Sequence, residues 1–259
     1  MTVRLQQWTH SVLAGLLLVA FASCTKTDTK DAPNRITAFI IPNVPEGKEP
    51  IQSVIDDNSN TIRVYLPFHY LMPVISPVIT SSEGATVKAS EEGSAINVFE
   101  LYKSGKTLTY TVSPAEGPER TYTVIIDAQQ PDLVLNELSP DAANPTVYTM
   151  DYVNTTNVGV GFGVGGFNIV PSADLNELLL IDQATKKEYN MADASLGINE
   201  NPTAGYNVSV YISKFDYNTT NETTMAKSLP EDALYTVKLT SYQKQATLKN
   251  PIRIVKKRS

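Results

Sequence analysis

Cysteine, histidine and tryptophan are scarce in this 259-residue chain, which has one Cys, two His and one Trp. A single cysteine excludes an internal disulfide framework and a cysteine-rich zinc site. His69 is the one imidazole after residue 23, and no nucleophile-elbow motif accompanies it. A Ser–His–Asp site would need that imidazole. We therefore expect a protein without catalytic residues, cofactor or metal; an enzyme would require carboxylates that meet only in the folded chain.

Positive charge is also in deficit, with 21 Lys and Arg against 27 Asp and Glu, for a formal net charge of -6. Binding to a phosphate backbone requires a concentrated basic face, so nucleic acid is excluded as a partner. Lys256, Lys257 and Arg258 end the chain and are expected to form a solvated end.

The longest apolar run, over residues 12–22, is short. A helix needs roughly 20 residues to span a bilayer, so the run has the length of a signal-peptide core. Phe21, Ala22 and Ser23 precede Cys24, an arrangement that resembles the lipobox of bacterial lipoproteins. The resemblance implies a signal peptide over residues 1–23, a diacylglyceryl group on Cys24, and the membrane as a partner through this anchor. A plain secretory signal with an incidental cysteine is the alternative.

Residues 24–34 are polar after the cysteine and predict a flexible tether. Surface lipoproteins of the Bacteroidetes type carry acidic residues just after the lipidated cysteine. Asp28 and Asp31 resemble that signal, although Lys26 and Lys30 dilute it. The resemblance implies the outer face of an outer membrane, with the periplasmic face as the alternative.

From Arg35 onward, apolar residues alternate with polar ones, the pattern of strands with one buried face. No long amphipathic helix is indicated, and residues 173–182 fit either a helix or a buried strand. Closely spaced strands without intervening helices predict all-β sandwiches of about 100 residues each. We therefore expect two tandem immunoglobulin-like β-sandwich domains, over residues 35–129 and 130–259. The clearest alternating runs are 62–66, 108–112, 122–126 and 235–239.

Several segments of the first predicted domain resemble an immunoglobulin-like module of unassigned function. The module occurs near the lipidated end of Bacteroidetes-type surface lipoproteins, often beside carbohydrate-uptake machinery. The second predicted domain faintly resembles a TIG-type immunoglobulin-like domain through residues 138–140, 160–163, 229–230 and 235–237. The segments of the first domain are 36–39, 55–56, 60–67, 77–81, 84–85 with 87, and 108–112 with 122–124.

Two motifs resemble ligand-binding loops, but the residues around them do not fit such loops. Residues 161–166 fit G-x-G-x-x-G, but no helix-forming segment follows, so we expect a glycine-rich strand with a close backbone approach. Residues 56–60 have the D-x-N-x-N spacing of a calcium loop, but Thr61 and Pro67 replace its glycine and glutamate. A hairpin turn is therefore expected there, with a casual surface cation site as the other interpretation.

Tyrosine is abundant, and aromatic faces bind sugar rings because the C–H edges of a sugar are apolar. Residues 206–217 carry apolar groups on both strand faces, so Tyr211, Phe215 and Tyr217 are candidate ligand-binding residues. Tyr148 and Tyr152 share a face if their segment is a strand. Packing of these rings under loops or at the interdomain seam is the alternative.

These features favour a non-catalytic surface lipoprotein that binds an extracellular ligand. A glycan is the favoured ligand, for a carbohydrate-uptake system, and outer-membrane transport proteins are further candidate partners. A structural or adhesive protein that makes protein–protein contacts is the alternative function, because sandwiches host many functions.

Overall fold

The computed structural model describes residues 32–90, 95–154, 156, 158–201 and 205–259. The predicted signal peptide, the lipidation at Cys24 and most of the predicted tether lie outside the described residues. Residues 33–259 form one compact unit. Strands dominate this unit, which confirms the predicted all-β class. Within the described part of the chain, no helix is long and apolar enough to cross a membrane.

The described residues of the first half of the unit form ten strands and one short helix. They are β1 (Ile36–Ile41), β2 (Ile51–Gln52), β3 (Val54–Asp56), β4 (Thr61–Tyr65), β5 (Val74–Ile75), β6 (Val78–Ser81), β7 (Thr86–Ala89), β8 (Ile96–Asn97), α1 (Val98–Ser104), β9 (Leu108–Ser113) and β10 (Arg120–Asp127). Two sheets, ordered β2-β1-β6 and β3-β4-β10-β9-β7, form the sandwich, and β5 pairs with β8. The helix α1 begins where the Asn97 side chain accepts a hydrogen bond from the Glu100 amide, and it ends at Gly105.

In the second half, the part of the chain that the structure describes forms ten further strands and one short helix. They are β11 (Val134–Leu135), β12 (Val147–Asp151), β13 (Gly159–Phe167), β14 (Asn176–Asp182), β15 (Glu188–Asn190), β16 (Ser195–Asn201), β17 (Gly205–Ser213), α2 (Thr224–Ser228), β18 (Asp232–Ser241), β19 (Lys244–Thr247) and β20 (Ile252–Lys257). Residues 173–182, for which the sequence left two interpretations, form one short 3-10 turn followed by the strand β14.

The strand order of the second half is that of an immunoglobulin fold. One sheet runs β11-β13-β17-β16, which corresponds to strands A, B, E and D. The other runs β12-β20-β18-β14-β15, which corresponds to G, F, C and C′ with β12 added in parallel beside β20. The second half is therefore an immunoglobulin-like sandwich by its connectivity.

The sheets divide at residues 128–133, but the two apolar cores share residues. Val170, Leu175 and Tyr242 belong to the core of the first sandwich, although they follow the dividing segment. The buried Tyr242 hydroxyl donates a hydrogen bond to the Met72 carbonyl at 2.7 Å, and its ring meets the Tyr102 ring edge-on. The second half of the chain therefore completes the first core.

Candidate functional site

The glycine-rich segment predicted from the sequence is the strand β13, and an aromatic ring packs on its outward face. Val160, Phe162 and Val164 point into the core, whereas glycine occupies each outward position from 159 to 165. Gly161 pairs with Tyr211 of β17. A Cβ atom on Gly161 would lie 3.3 Å from a Tyr211 ring carbon, and one on Gly159 would lie 2.9 Å from the ring. The Tyr211 ring therefore lies along bare backbone, and it is partly exposed.

Two loops at one end of the second sandwich carry exposed apolar side chains. Of their described residues, those at 152–154, 156 and 158 include the exposed Val153 and Val158, and those at 214–223 include the exposed Phe215 and the fully exposed Tyr217. We call these two loops the aromatic tip. Large contiguous apolar patches mark interaction sites, whereas single exposed apolar residues are ordinary on soluble proteins. The tip adjoins the part of β13 on which the Tyr211 ring packs, since Val158 precedes Gly159 in the chain.

A buried ammonium group holds the two loops of the aromatic tip together. The Lys214 side chain is about 1% exposed, and its Nζ donates to the Asp151 carbonyl at 2.6 Å and the Asn154 carbonyl at 3.0 Å. The same Nζ lies 5.6 Å from the Tyr152 ring centre and 5.7 Å from that of Phe215. Burying a cation is costly unless its surroundings are arranged to receive it, so this contact fixes the loop geometry.

A network of ion pairs and hydrogen bonds joins Glu222, in one of the two loops, to the end of the chain. Glu222 accepts hydrogen bonds from the Tyr152 hydroxyl and from Arg258, whose guanidinium carbon lies 4.3 Å from the Tyr152 ring centre. Burial opposes ionisation of Glu222, but these donors outweigh it and hold the pKa of its carboxyl below the usual range. Arg258 also binds Glu231 at 2.8 Å. The network anchors the last strand to the tip.

Lys257 and Arg258 are exposed, as expected of a solvated chain end, but Lys256 is not. Lys256 is only 7% exposed and lies 3.7 Å from the Glu231 carboxylate and 4.0 Å from the Glu222 carboxylate. The reason is the alternation of β20, which turns Ile252, Ile254 and then Lys256 toward the interior.

The structure separates the five aromatic residues that the sequence predicted. It brings Tyr152 and Phe215 together in an edge-to-face contact with ring centres 5.8 Å apart, and Tyr217 follows in the same loop. Of Tyr211, Phe215 and Tyr217, only Tyr211 lies within β17, because that strand ends at Ser213. Tyr148 packs against Phe162 at 5.2 Å and contributes to the core. Its inward direction in β12 makes it a packing residue, so we leave it out of the site.

Sequence reasoning missed Lys214 and Glu222. A signal for Lys214 was present, because it continues the inward series of Val208, Val210 and Ile212, where a lysine is unexpected. Glu222 gave no comparable signal, since its partners Tyr152 and Arg258 are far from it in sequence.

The other candidate positions hold structural roles. Asp56 closes the turn between β3 and β4 by accepting hydrogen bonds from the Asn58 amide and the Ser59 hydroxyl, as the hairpin interpretation requires. His69 is exposed on a 3-10 turn. A search of the described residues finds no cluster of three His, Cys, Asp or Glu side chains that could hold a metal ion.

Comparisons with known proteins add little beyond the fold class. No family model and no curated protein matches the chain. Among solved structures, the chain is similar to a DUF4623 family protein from Bacteroides eggerthii, with 8% identity over 82% of this chain and 49% of that one, at a TM-score of 0.28. Titin domains I67–I69 match at 10% identity over 76% and 62% of the two chains, with a TM-score of 0.27. Drosophila N-cadherin EC1-3 matches at 9% identity over 76% and 64%, with a TM-score of 0.24.

The chain therefore spans about half of the first of these proteins and under two thirds of the other two. At such low TM-scores, none of them supports an argument about function. The immunoglobulin-like assignment of the second sandwich depends on its strand order.

Proposed function

We propose that this protein is a non-catalytic surface lipoprotein of the outer membrane that binds an extracellular glycan through the aromatic tip, for a carbohydrate-uptake system. The observation that carries the proposal is the pair of exposed rings, Phe215 and Tyr217, on loops that the buried Lys214 holds together. The lipobox-like sequence before Cys24 supports the anchor. Loops on a rigid sandwich commonly carry binding residues, as in antibody variable domains.

The chemistry of the aromatic tip suits a sugar chain. The apolar C–H face of a pyranose ring stacks on an exposed aromatic ring, while polar groups nearby orient its hydroxyls. Tyr217 and Phe215 offer such rings, and Tyr211 offers a third on the adjoining sheet. Because Lys214 and the Glu222 network already order the loops, a ligand loses little free energy in ordering them.

A glycan array with purified residues 25–259, followed by calorimetry on each hit, tests the proposal. This fragment retains the whole compact unit of residues 33–259. We expect Tyr217→Ala to weaken binding by about fivefold, since one lost stacking contact is worth roughly 1 kcal/mol. Tyr65→Ala is the matched control, because Tyr65 is an exposed tyrosine of the first sandwich.

Two results would overturn the glycan proposal. One is an array without signal above background for the wild-type chain. The other is a glycan that binds Tyr217→Ala as tightly as the wild-type chain.

A structural or adhesive function is the second candidate, and the open edge strand β16 favours it. An unpaired strand edge offers its backbone groups to another chain. An envelope pull-down with the wild-type chain and an Ile198→Lys variant separates the two functions. A partner that only the wild-type chain captures would favour adhesion over glycan binding.

A further inference from the structure

The outward face of the sheet β11-β13-β17-β16 carries no charged side chain among the described residues. Glu200 is the single charged residue of these four strands, and it alternates toward the opposite side with Leu196 and Ile198. The other sheet of the same sandwich differs, since Lys238 and Arg253 lie at its outward positions. Charged residues are the ordinary occupants of exposed positions, so a whole sheet face without them is a specialised surface.

Amides and hydroxyls occupy this outward face instead. They belong to Asn136, Ser195, Asn199, Asn207 and Ser209, and we call the surface that they form with the outward glycines of β13 the amide face. The Asn199 amide donates a hydrogen bond to Ser209 Oγ at 2.8 Å. Asn207 Oδ1 is buried and accepts no hydrogen bond from the described part of the chain. The amide face therefore offers uncharged hydrogen-bonding groups, including one acceptor that the folded chain leaves unpaired.

The amide face is low in relief because several of its positions lack a Cβ atom. A Cβ atom on Gly163 would overlap the Asn207 side chain, which leans over β13 as the Tyr211 ring does beside it. A Cβ atom on Gly197 of β16 would meet no atom within 4 Å, so the space above this position is open. A ligand can therefore approach the backbone of these strands closely.

An exposed aromatic ring lies toward each end of the amide face. Tyr211, opposite Gly161, is 36% exposed, and Phe167, the last residue of β13, is 50% exposed. The distance along β13 from Gly161 to Phe167 is about 20 Å, at roughly 3.4 Å per residue. The arrangement suits an extended ligand that is long enough to contact both rings.

We propose that the amide face binds an uncharged polysaccharide that extends along β13 from Tyr211 to Phe167. The proposal rests on the glycan-binding function and deepens it, because it names the class of glycan and a second surface that the glycan contacts. The aromatic tip adjoins the Tyr211 end of the face, so one sugar chain can contact both surfaces.

The chemistry of the amide face selects this ligand over other macromolecules. The C–H faces of pyranose rings stack on Tyr211 and Phe167, and their hydroxyls meet the amides between the two rings. A protein partner requires apolar anchors at the centre of its interface, whereas the central row here is Gly163, Ser209 and Gly197. A nucleic acid or an acidic polysaccharide requires cationic side chains, which the described face lacks.

Affinity electrophoresis of residues 25–259, in gels that each contain one polysaccharide, tests the proposal. The neutral polysaccharides are xyloglucan, glucomannan, amylopectin, dextran and laminarin, and the acidic ones are polygalacturonate and hyaluronan. We expect at least one neutral polysaccharide, and neither acidic one, to retard the wild-type chain. Calorimetry then gives the affinity for each polysaccharide that retards it.

Two variants locate the binding surface. Gly197→Lys should weaken binding at least tenfold, because its side chain would stand in the open space above β16 and block the face. Phe167→Ala should weaken binding about fivefold through loss of one stacking contact. Val78→Lys is the matched control for the added lysine, since Val78 is 54% exposed on a strand of the first sandwich, and it should leave binding unchanged. Circular dichroism checks that each variant is folded.

The outcomes separate this proposal from the function on which it rests. Binding that Tyr217→Ala weakens, but Gly197→Lys and Phe167→Ala do not, would refute the amide face and retain the aromatic tip. Binding that the two face variants weaken, but Tyr217→Ala does not, would support the amide face and refute the tip. Retardation by no neutral polysaccharide, equal retardation by the acidic ones, or an equal loss in Val78→Lys would each overturn the proposal.

Discussion

Replacement of Lys214 should show whether a buried ammonium group orders the aromatic tip. Lys214→Met retains the apolar stem but removes the two hydrogen bonds to the Asp151 and Asn154 carbonyls. A hydrogen bond from a charged donor contributes about 1.5–3 kcal/mol, but the variant also avoids burying a charge. We therefore expect Lys214→Met to lower the free energy of unfolding by about 1–2 kcal/mol.

Lys214→Ala should cost more, because it also removes about three buried methylene groups at about 0.8 kcal/mol each. The expected total is about 3–4 kcal/mol. Urea denaturation of both variants measures these differences. Amide hydrogen exchange should quicken in residues 152–158 in both variants, because their carbonyl anchor is lost.

Lys227→Ala is the control, since Lys227 is exposed on α2 and its removal should stay within about 0.5 kcal/mol. Equal stability of Lys214→Met and Lys214→Ala would refute the role of the stem. Unchanged exchange in residues 152–158 would refute the role of the ammonium group.

Two further predictions concern the first sandwich. Tyr242→Phe should lower the free energy of unfolding by about 1 kcal/mol through loss of the hydrogen bond to Met72, and Tyr242→Ala by about 3–5 kcal/mol. Hydrogen exchange after Tyr242→Ala should quicken around Met72, and an effect confined to residues 130–259 would contradict the shared core. Burial opposes ionisation of Asp57, but Arg35 and Tyr122 outweigh it and hold its pKa below the ordinary 3.8. Its stabilisation is therefore full above pH 3.8 and is lost as pH falls through the lowered pKa, so acid unfolding of Asp57→Asn should show a weaker pH dependence.

The all-β architecture was predictable from the sequence because strand patterning is local. Ile62 and Val64 of β4 alternate with exposed neighbours, and Tyr235 and Val237 of β18 repeat the pattern. The glycine-rich run was likewise predicted as a strand, because no helix-forming segment follows it. The helix α1 escaped prediction, since seven residues are too few for a clear helical period.

The candidate site was predictable only in part. The sequence predicted Phe215 and Tyr217 from apolar residues on both faces of one strand, but both residues lie in the loop that follows β17, which ends at Ser213. Tyr148 looked equivalent in sequence, but it faces Phe162 in the core. Periodicity shows that two residues share a face; it does not show which face another sheet covers.

Local sequence thus determined the strands, the turn at Asp56 and the bare backbone of β13, because these depend on residues a few positions apart. Tertiary structure decided that Lys214 and Lys256 are buried among their partners and that Tyr242 completes the core of the first sandwich. The physical reason is that these contacts join segments distant in the chain, such as Tyr242 and Met72. Strand alternation places Lys214 and Lys256 on inward faces, but the partners that each side chain meets there depend on packing between distant segments.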